Sequence, residues 1–342
     1  MQRIRIAILG YGRSGSTMHA GAIEKNPAFE LVAVCDTDPQ RRKQAEERSR
    51  CRVYEDYSRM LREESLALVS VVTRSDQHCT MACDCLAAGV NVLVTKPWAV
   101  SAAEAHRMIA AAKTARKLLL PWLPARWGSD LRRLRELVSA GRIGKVFFVR
   151  RAVCSFGTRC DWQTERRHGG GYLLNWGPHI VDPPLVLLGQ RVESVYGHLS
   201  RVINPGDAED LFYALLTLED GSLVQAEYTI ATQDLPGWFV QGNRGTIEIR
   251  GDRLRLHATV PAKPDDPTQY ATMKAAEADI CEEKITGTPY GDEHEVYEAI
   301  ARAVRGEETF PVSPADALEL SRVFDAIRAS DAGNRVVELG PA

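Results

Sequence analysis

Within residues 168–182, HGGGYLLNWGPHIVD, three glycines lead into an Asn, a His and an Asp. Asn175, His179 and Asp182 are spaced by four and three residues, which aligns them on one face of a helix. With Asn175 as the N-cap, Pro178 falls in the first turn, where a missing N–H costs little. Gly169 to Gly171 let the chain pass close to a ligand or to another part of the molecule. Pro183 and Pro184 follow at once, so a break or kink is expected just after Asp182. A second reactive group lies far away in sequence: Lys96, in VLVTKPWAV, follows an apolar run and precedes Pro97. An imidazole, an amide and an ammonium that share a cleft are equipped to move a proton.

The elements that must position these groups begin at the N-terminus. AILGYGRSG places Gly10, Gly12 and Gly15, with Arg13 and Ser14 between them, after a strand and at the opening of a helix. Such a turn lets a pyrophosphate approach the helix N-terminus. The next strand ends in Cys35-Asp36, 21 residues after Gly15, where a carboxylate accepts bonds from ribose hydroxyls. The order strand, glycines, helix, strand, acid predicts dinucleotide binding. Asp36 would repel a 2′-phosphate and favours NAD over NADP, a preference that Arg41 and Arg42 soften. Lys96 then sits at the carboxyl edge of the same sheet. There, partial burial beside a positive nicotinamide lowers its pKa from roughly 10.4.

Continuous apolar runs at 4–9, 30–35, 67–72, 91–94 and 117–121 alternate with helical patterns at about 16–25, 38–49, 78–88 and 101–116. This predicts a parallel, doubly wound sheet covered on both faces. Beyond Pro121 and Pro124, a helix at about 129–140 precedes alternating segments that predict a large, mostly antiparallel open sheet. Residues 258–290 lack periodicity and read as an excursion or lid. Helices at about 292–305 and 314–330 and a short strand, RVVEL, follow. The fold class expected is α/β, with a Rossmann domain over 1–122 and a substrate-binding and oligomerisation α/β domain over 123–342.

The 342 residues are 44% hydrophobic and 26% charged, with 43 Lys and Arg against 45 Asp and Glu. A net charge of −2 provides no field to hold nucleic acid or an anionic membrane. No apolar run reaches the roughly 20 residues of a membrane span, and the N-terminal apolar stretch reads as a strand. A cytoplasmic location is expected. Cys79, Cys83 and Cys85 form the one thiol cluster, and without a second ligand pair it reads as free thiols, so no metal is expected.

These residues resemble the glucose-fructose oxidoreductase, inositol dehydrogenase and MocA (Gfo/Idh/MocA) family over essentially the whole chain. The glycine fingerprint, the TRSDQH at 73–78, the TKP at 95–97 and the GGGYLLNWGPHIVD segment occur in the family's order. The resemblance implies NAD(P)-dependent chemistry on sugars, polyols or their derivatives, and a C-terminal sheet that joins homodimers or homotetramers. It implies that Lys96 matches the family's Glu-Lys-Pro lysine and His179 the histidine of its Asp-x-x-x-His motif. It also places Thr73, Ser75 and His78 beside the cofactor, and Arg126 in a cleft-lining segment. Three departures stand out: Thr95 replaces a usual Glu, Asn175 a usual Asp, and Arg74 a common Pro.

Asp161, Trp162 and Gln163 lead from a β segment toward the glycines, and an indole face with flanking polar groups suits a sugar ring. They join Arg126 and Asp182 as substrate candidates, while Trp98 and Trp176 read as packing residues. Function is expected to be hydride transfer between the nicotinamide and a sugar, polyol or derivative, with His179 as base and Lys96 donating to the oxyanion. Two alternatives stay open: redox-neutral glycosidase or lyase chemistry with tightly bound NAD, and a non-catalytic dinucleotide sensor.

Overall fold

The structure, a computed structural model, describes residues 2–260, 268, 270 and 278–340. Six parallel strands form the first sheet: β1 (Ile4–Leu9), β2 (Phe29–Cys35), β3 (Arg52–Tyr54), β4 (Leu68–Val71), β5 (Asn91–Val94) and β6 (Leu119–Pro121). Their order is β3-β2-β1-β4-β5-β6, so the chain reverses its winding between β1 and β4. Ligands bind at the carboxyl ends of strands beside such a switch point. Helices cover both faces, and residues such as Ile6, Ile8, Val69 and Val92 are fully buried because no face meets water.

Nine strands form the second sheet: β7 (Val146–Cys154), β8 (Val192–Ser200), β9 (Leu211–Leu218), β10 (Leu223–Thr229), β11 (Trp238–Gly242), β12 (Gly245–Arg250), β13 (Arg253–Thr259), β14 (Ala278–Lys284) and β15 (Val337–Glu338). The order is β14-β13-β12-β11-β7-β10-β9-β8-β15, antiparallel except where β7 meets β10. Along β9 and β10 the burial alternates: Phe212, Ala214 and Leu216 point to the core and Tyr213 and Leu215 to solvent. β11 and β14 are absent from the sequence expectation. β14 pairs with β13 from Ala278 to Thr259 through to Lys284 and Arg253, so the end of the expected excursion is an ordered edge strand. Its exposed Ile280, Cys281, Glu282 and Lys284 gave no periodicity to detect. The expected lid at 261–267, 269 and 271–277 lies outside the described residues.

Two helices from the C-terminal part return to the first sheet. Tyr297, in Glu293–Val304, is fully buried, with its hydroxyl 2.8 Å from His19 Nδ1 and 3.2 Å from Ser70 Oγ. Burial pushes the His19 imidazole down to about 3, so it is neutral. The helix Pro314–Gly333 touches both sheets. Asp325 accepts from Ala102 N–H at 2.8 Å, Arg328 donates to Val100 O at 2.9 Å, and Ser330 Oγ accepts from Gly197 N–H at 2.9 Å.

Candidate active site

The glycine turn shows why side chains are excluded from it. Gly10 has φ +91°, and a Cβ there would stand 2.7 Å from Val72 O. A Cβ on Gly15 would overlap the Gly10 carbonyl oxygen, whereas one on Gly12 would meet only Arg41 Nη1, at 3.7 Å. Gly10 and Gly15 thus permit the packing of turn on strand, and Gly12 keeps the surface open to a ligand. The helix opens over Ser14–His19 with wide turns, in which Ala20 N–H donates to Gly15 O five residues back. It continues through Ala20–Lys25. Asp36 is buried, with Oδ2 accepting from Tyr11 N–H at 2.7 Å and Oδ1 from Asp38 N–H at 2.9 Å. Each oxygen keeps a lone pair for a ribose hydroxyl. Arg41 leans over Gly12, with Nη1 3.5 Å from Asp36 Oδ2. An unobstructed glycine, a buried acid and a helix N-terminus are what a dinucleotide requires, and these residues fit NAD.

Ser75 is buried with its hydroxyl unpartnered, and Thr73 Oγ1 lies 3.5 Å from Met81 Sδ. His78 differs from the expectation. Its Nδ1 is 2.8 Å from Pro97 O and its Nε2 3.0 Å from Thr73 O, so it clasps two loops and presents no free nitrogen to a ligand.

The reacting edge gathers around Lys96, which follows β5 and enters a cis peptide with Pro97. Its Nζ donates to Asn175 Oδ1 at 2.7 Å and to Asn175 O at 3.0 Å. Burial, then the neighbouring Arg159 and Arg13, push the ammonium down to about 8. His179 is buried with Nδ1 unpartnered. Burial, Lys96 and Arg151 hold its imidazole well below the usual range.

Asn175 and His179 share a face of the helix Tyr172–Ile180, but the helix starts earlier than expected. Gly171, with φ +103°, occupies the N-cap, and Asn175 N–H donates to Gly171 O at 3.0 Å. Glu209 explains this. Its main-chain oxygen accepts from Tyr172 N–H at 2.9 Å and its carboxylate from Leu173 N–H at 3.3 Å. A Cβ on Gly171 would collide with that carboxylate, whose pKa is raised by burial. Pro178 is therefore inside the helix. The break falls at Val181, before Asp182 rather than after it, because Pro183 and Pro184 fit the first turn of the following helix, Asp182–Leu188. Gly169 packs on Ser75, where a Cβ would come within 2.7 Å of the Ser75 Cβ.

Arg126 and Asp182, both expected at the substrate, are given to each other. Arg126 Nη2 and Nε meet Asp182 Oδ1 and Oδ2 at 2.7 and 2.9 Å, and Nη1 meets Asp316 at 3.1 Å. This partly buried pair joins three helices. Asp161 caps a short turn by accepting from Gln163 N–H at 2.9 Å, and Asp161 and Gln163 side chains both hold Arg159, at 3.0 and 2.9 Å. Trp162 is half-buried.

Four site residues escaped the sequence reading, and a fifth, Trp176, was read there as a packing residue. Tyr228 on β10, Tyr290 and Trp176 form an aromatic wall beside His179, with ring centroids 5.4 Å (Trp176–Tyr228) and 5.2 Å (Tyr290–His179) apart. Arg151 on β7 lies beneath it, 5.0 Å from the Trp238 ring and 6.0 Å from the Tyr290 ring. Arg159 stands beside Lys96. Tyr228 and Arg151 come together through strand pairing, while Tyr290 and Arg159 lie in loops that only the tertiary fold brings to the site. The inward parity of Arg151, between Val149 and Val153, was the one available signal. Among the described residues no group of three His, Cys, Asp or Glu could hold a metal, and no helix is long and apolar enough to cross a membrane.

A dinucleotide turn facing a Lys, Asn and His defines the class as a nicotinamide-dependent oxidoreductase. Residues 4–121 match the model of the oxidoreductase family with NAD-binding Rossmann fold, and residues 131–248 that of the GFO/IDH/MocA C-terminal domain. The chain belongs to the Gfo/Idh/MocA oxidoreductase family, and its N-terminal part is an NAD-binding Rossmann domain. It is similar to the uncharacterized oxidoreductase YdgJ of Escherichia coli, at 24% identity over 94% of each chain. It is also similar to the NADP-dependent scyllo-inositol 2-dehydrogenase IolW of Bacillus subtilis, at 23% identity over 98% of this chain and 96% of that protein. Among solved structures, an NAD-binding protein from Listeria innocua shares the fold, with a TM-score of 0.85 at 23% identity over 98% of this chain and 97% of that one. So does the WlbA dehydrogenase from Bordetella pertussis in complex with NADH and UDP-GlcNAcA, with a TM-score of 0.82 at 22% identity over 100% and 99%.

Proposed function

We propose that this chain is a dehydrogenase that oxidises one carbinol of a sugar, polyol or sugar derivative, with NAD preferred to NADP. The observation that carries this is the partly buried Lys96 ammonium, held by Asn175 beside His179 at the carboxyl edge of the dinucleotide sheet. Relatives named as inositol and glucoside dehydrogenases support the substrate class. Eight free thiols suit a cytoplasmic enzyme, and exposed Tyr196, Tyr213 and Leu215 on the nine-stranded sheet suit a homodimer or homotetramer. Residues 1–122 serve as the cofactor unit and 123–342 as the substrate unit.

Bound NAD supplies the hydride acceptor. The chain's own residues handle the proton, and the roles expected from the residues alone are better exchanged. Lys96, at about 8, is matched to neutral working pH. In its neutral form it takes the proton of the substrate hydroxyl at Nζ, and the resulting ammonium rests on the two Asn175 oxygens. His179 would carry a charge beside two cations with no carboxylate among the described residues bearing on it, so it stays neutral and donates its N–H to the reacting oxygen. The wall of Trp176, Tyr228 and Tyr290 offers an apolar face for a sugar ring.

The test is the reduced-nicotinamide absorbance of near-stoichiometric enzyme mixed with NAD and a panel of sugars, polyols and glycosides, with Lys96→Ala as control. Catalytic, Lys96-dependent growth of the band is the expected result. A flat or transient band while a glycoside disappears would replace this reading with redox-neutral chemistry.

A further inference from the structure

We propose that the substrate carries an oxyanion, a carboxylate or a phosphate, and that Arg159 receives it; this rests on the dehydrogenase reading of the same cleft. The Lys96 ammonium bonds only neutral acceptors, the amide and carbonyl oxygens of Asn175. Among the described residues, the charges that press the Lys96 ammonium and the His179 imidazole down are those of Arg13, Arg151, Arg159 and Lys96 itself, all cations. Among the described residues two carboxylates lie near these arginines, each also bonded to neutral donors. Asp130 accepts from Trp238 Nε1 at 2.6 Å and Leu131 N–H at 2.8 Å, 4.0 Å from Arg151 Nη2. Asp161 takes Gln163 N–H and one arm of Arg159.

Thr95 and Asn175, which stand where the family the chain resembles usually carries Glu and Asp, supply no carboxylate to the cleft. Arg13 lies on the glycine turn and answers a pyrophosphate, while an oxidised nicotinamide brings another positive charge. Among the described residues Asp161 answers Arg159 and Asp130 faces Arg151, so two carboxylates meet four cations and the reacting end keeps an excess of positive charge, which is costly where it is buried. An anionic substrate removes that cost on binding.

Arg159 is the group placed to do so. It sits on the loop after β7 with its side chain 24% exposed, within reach of a ligand, while the Arg151 side chain is 6% exposed. Its Nη1 and Nη2 are fixed by Gln163 and Asp161, and its buried Nε has no partner. A guanidinium already oriented by two side chains loses little freedom when it takes an oxyanion. Gln163 and Asp161, expected at the substrate, then act as positioning residues that aim Arg159.

Calorimetric titration of the NADH-saturated enzyme with D-gluconate, D-glucuronate and D-glucose 6-phosphate, each against D-glucose and sorbitol, reads binding without turnover. Absorbance with NAD reads turnover of the same compounds. At low salt at least one acid is expected to bind on the order of 10- to 100-fold tighter than its neutral counterparts. Arg159→Gln lowers that ratio at least about tenfold, and Arg159→Lys restores part of it. Whether a carboxylate or the phosphate wins separates the two sources of the anion. Equal binding of acid and neutral sugar, a preference that survives Arg159→Gln, or no binding of any acid overturns the proposal. Tight acid binding without NAD reduction keeps the anion site and strikes the dehydrogenase reading, whereas turnover of neutral sugars alone does the reverse.

Discussion

The two edges of the cleft are built by opposite means. The cofactor edge is made of main chain within residues 9–36, and its specification is largely an absence: no Cβ at Gly10 or Gly15, and open space at Gly12. The reacting edge is made of side chains from residues 96, 151, 159, 175, 176, 179, 228 and 290, which come from several separate elements of the chain. A backbone site imposes its demands on consecutive residues, whereas a side-chain site exists only once strand order and register are set.

The largest effect expected lies on the reacting edge. Lys96→Ala removes the proposed proton acceptor and is expected to lower kcat about 10³-fold, within the range that general base catalysis contributes. Stopped-flow absorbance with a fluorescence titration of NADH checks that cofactor affinity is little changed. A loss of NADH binding equal to the loss of kcat would merge the two edges into one.

On the cofactor edge, Gly15→Ala pits its Cβ against the Gly10 carbonyl oxygen, where the main chain cannot yield. NADH binding is expected to weaken by about 100-fold or more, roughly 3 kcal/mol. Gly12→Ala meets only the mobile end of Arg41 and should fold with an unchanged melting temperature while still weakening NADH. Identical behaviour of the two variants would remove the distinction between packing and ligand glycines.

Proton handling comes next. With Lys96 as the proposed base in its neutral form, kcat/KM for oxidation should rise with pH, roughly tenfold per unit below the midpoint, and level off above about 8. Carbonyl reduction needs the ammonium and should fall through the same midpoint. Asn175→Leu removes an acceptor from the ammonium and should move the midpoint lower. An oxidation rate that falls above pH 8 would return the base role to His179.

The smallest effect is expected away from both edges. Tyr297→Phe strands His19 and Ser70 and should cost about 1–3 kcal/mol of stability with kcat unchanged. Because His19 is neutral when folded, with its pKa down at about 3, the unfolded chain binds the extra proton between its ordinary pKa, 6.5, and that value. Stability therefore falls as pH drops through this window, and His19→Asn should flatten the slope in acid denaturation.

Much of the cofactor edge was legible. β1, β2, β4 and β5 are continuous apolar runs because both faces of their sheet are covered, and the glycines and Asp36 follow at fixed distances. β3, with the exposed Arg52 in only three residues, carried too little burial to register. Lys96, Asn175 and His179 were found by type and spacing, yet the helix start was misplaced because its cap comes from Glu209, a residue 34 positions beyond Asn175. Arg126 and Asp182 read as substrate groups for the same reason. An Arg and an Asp 56 residues apart reveal their pairing only when Arg126 and the Asp182–Leu188 helix are packed together. The aromatic wall and the two arginines depended on the order β11-β7-β10, which includes a parallel pair that no run of alternating residues announces.

The helix Pro314–Gly333 bears on how this enzyme is born. It follows every strand but β15, yet it bonds Ala102 and Val100 on one side and Gly197 on the other. During synthesis the Rossmann half can fold as soon as its strands leave the ribosome. The bonds from this helix to both halves of the chain cannot form until residues 314–333 have emerged. A nascent chain lacking them would hold the glycine turn ready for a nucleotide while its second half is still untied by that helix. Competence to bind cofactor should therefore precede competence to act, and a ribosome stalled before residue 314 should display the first without the second.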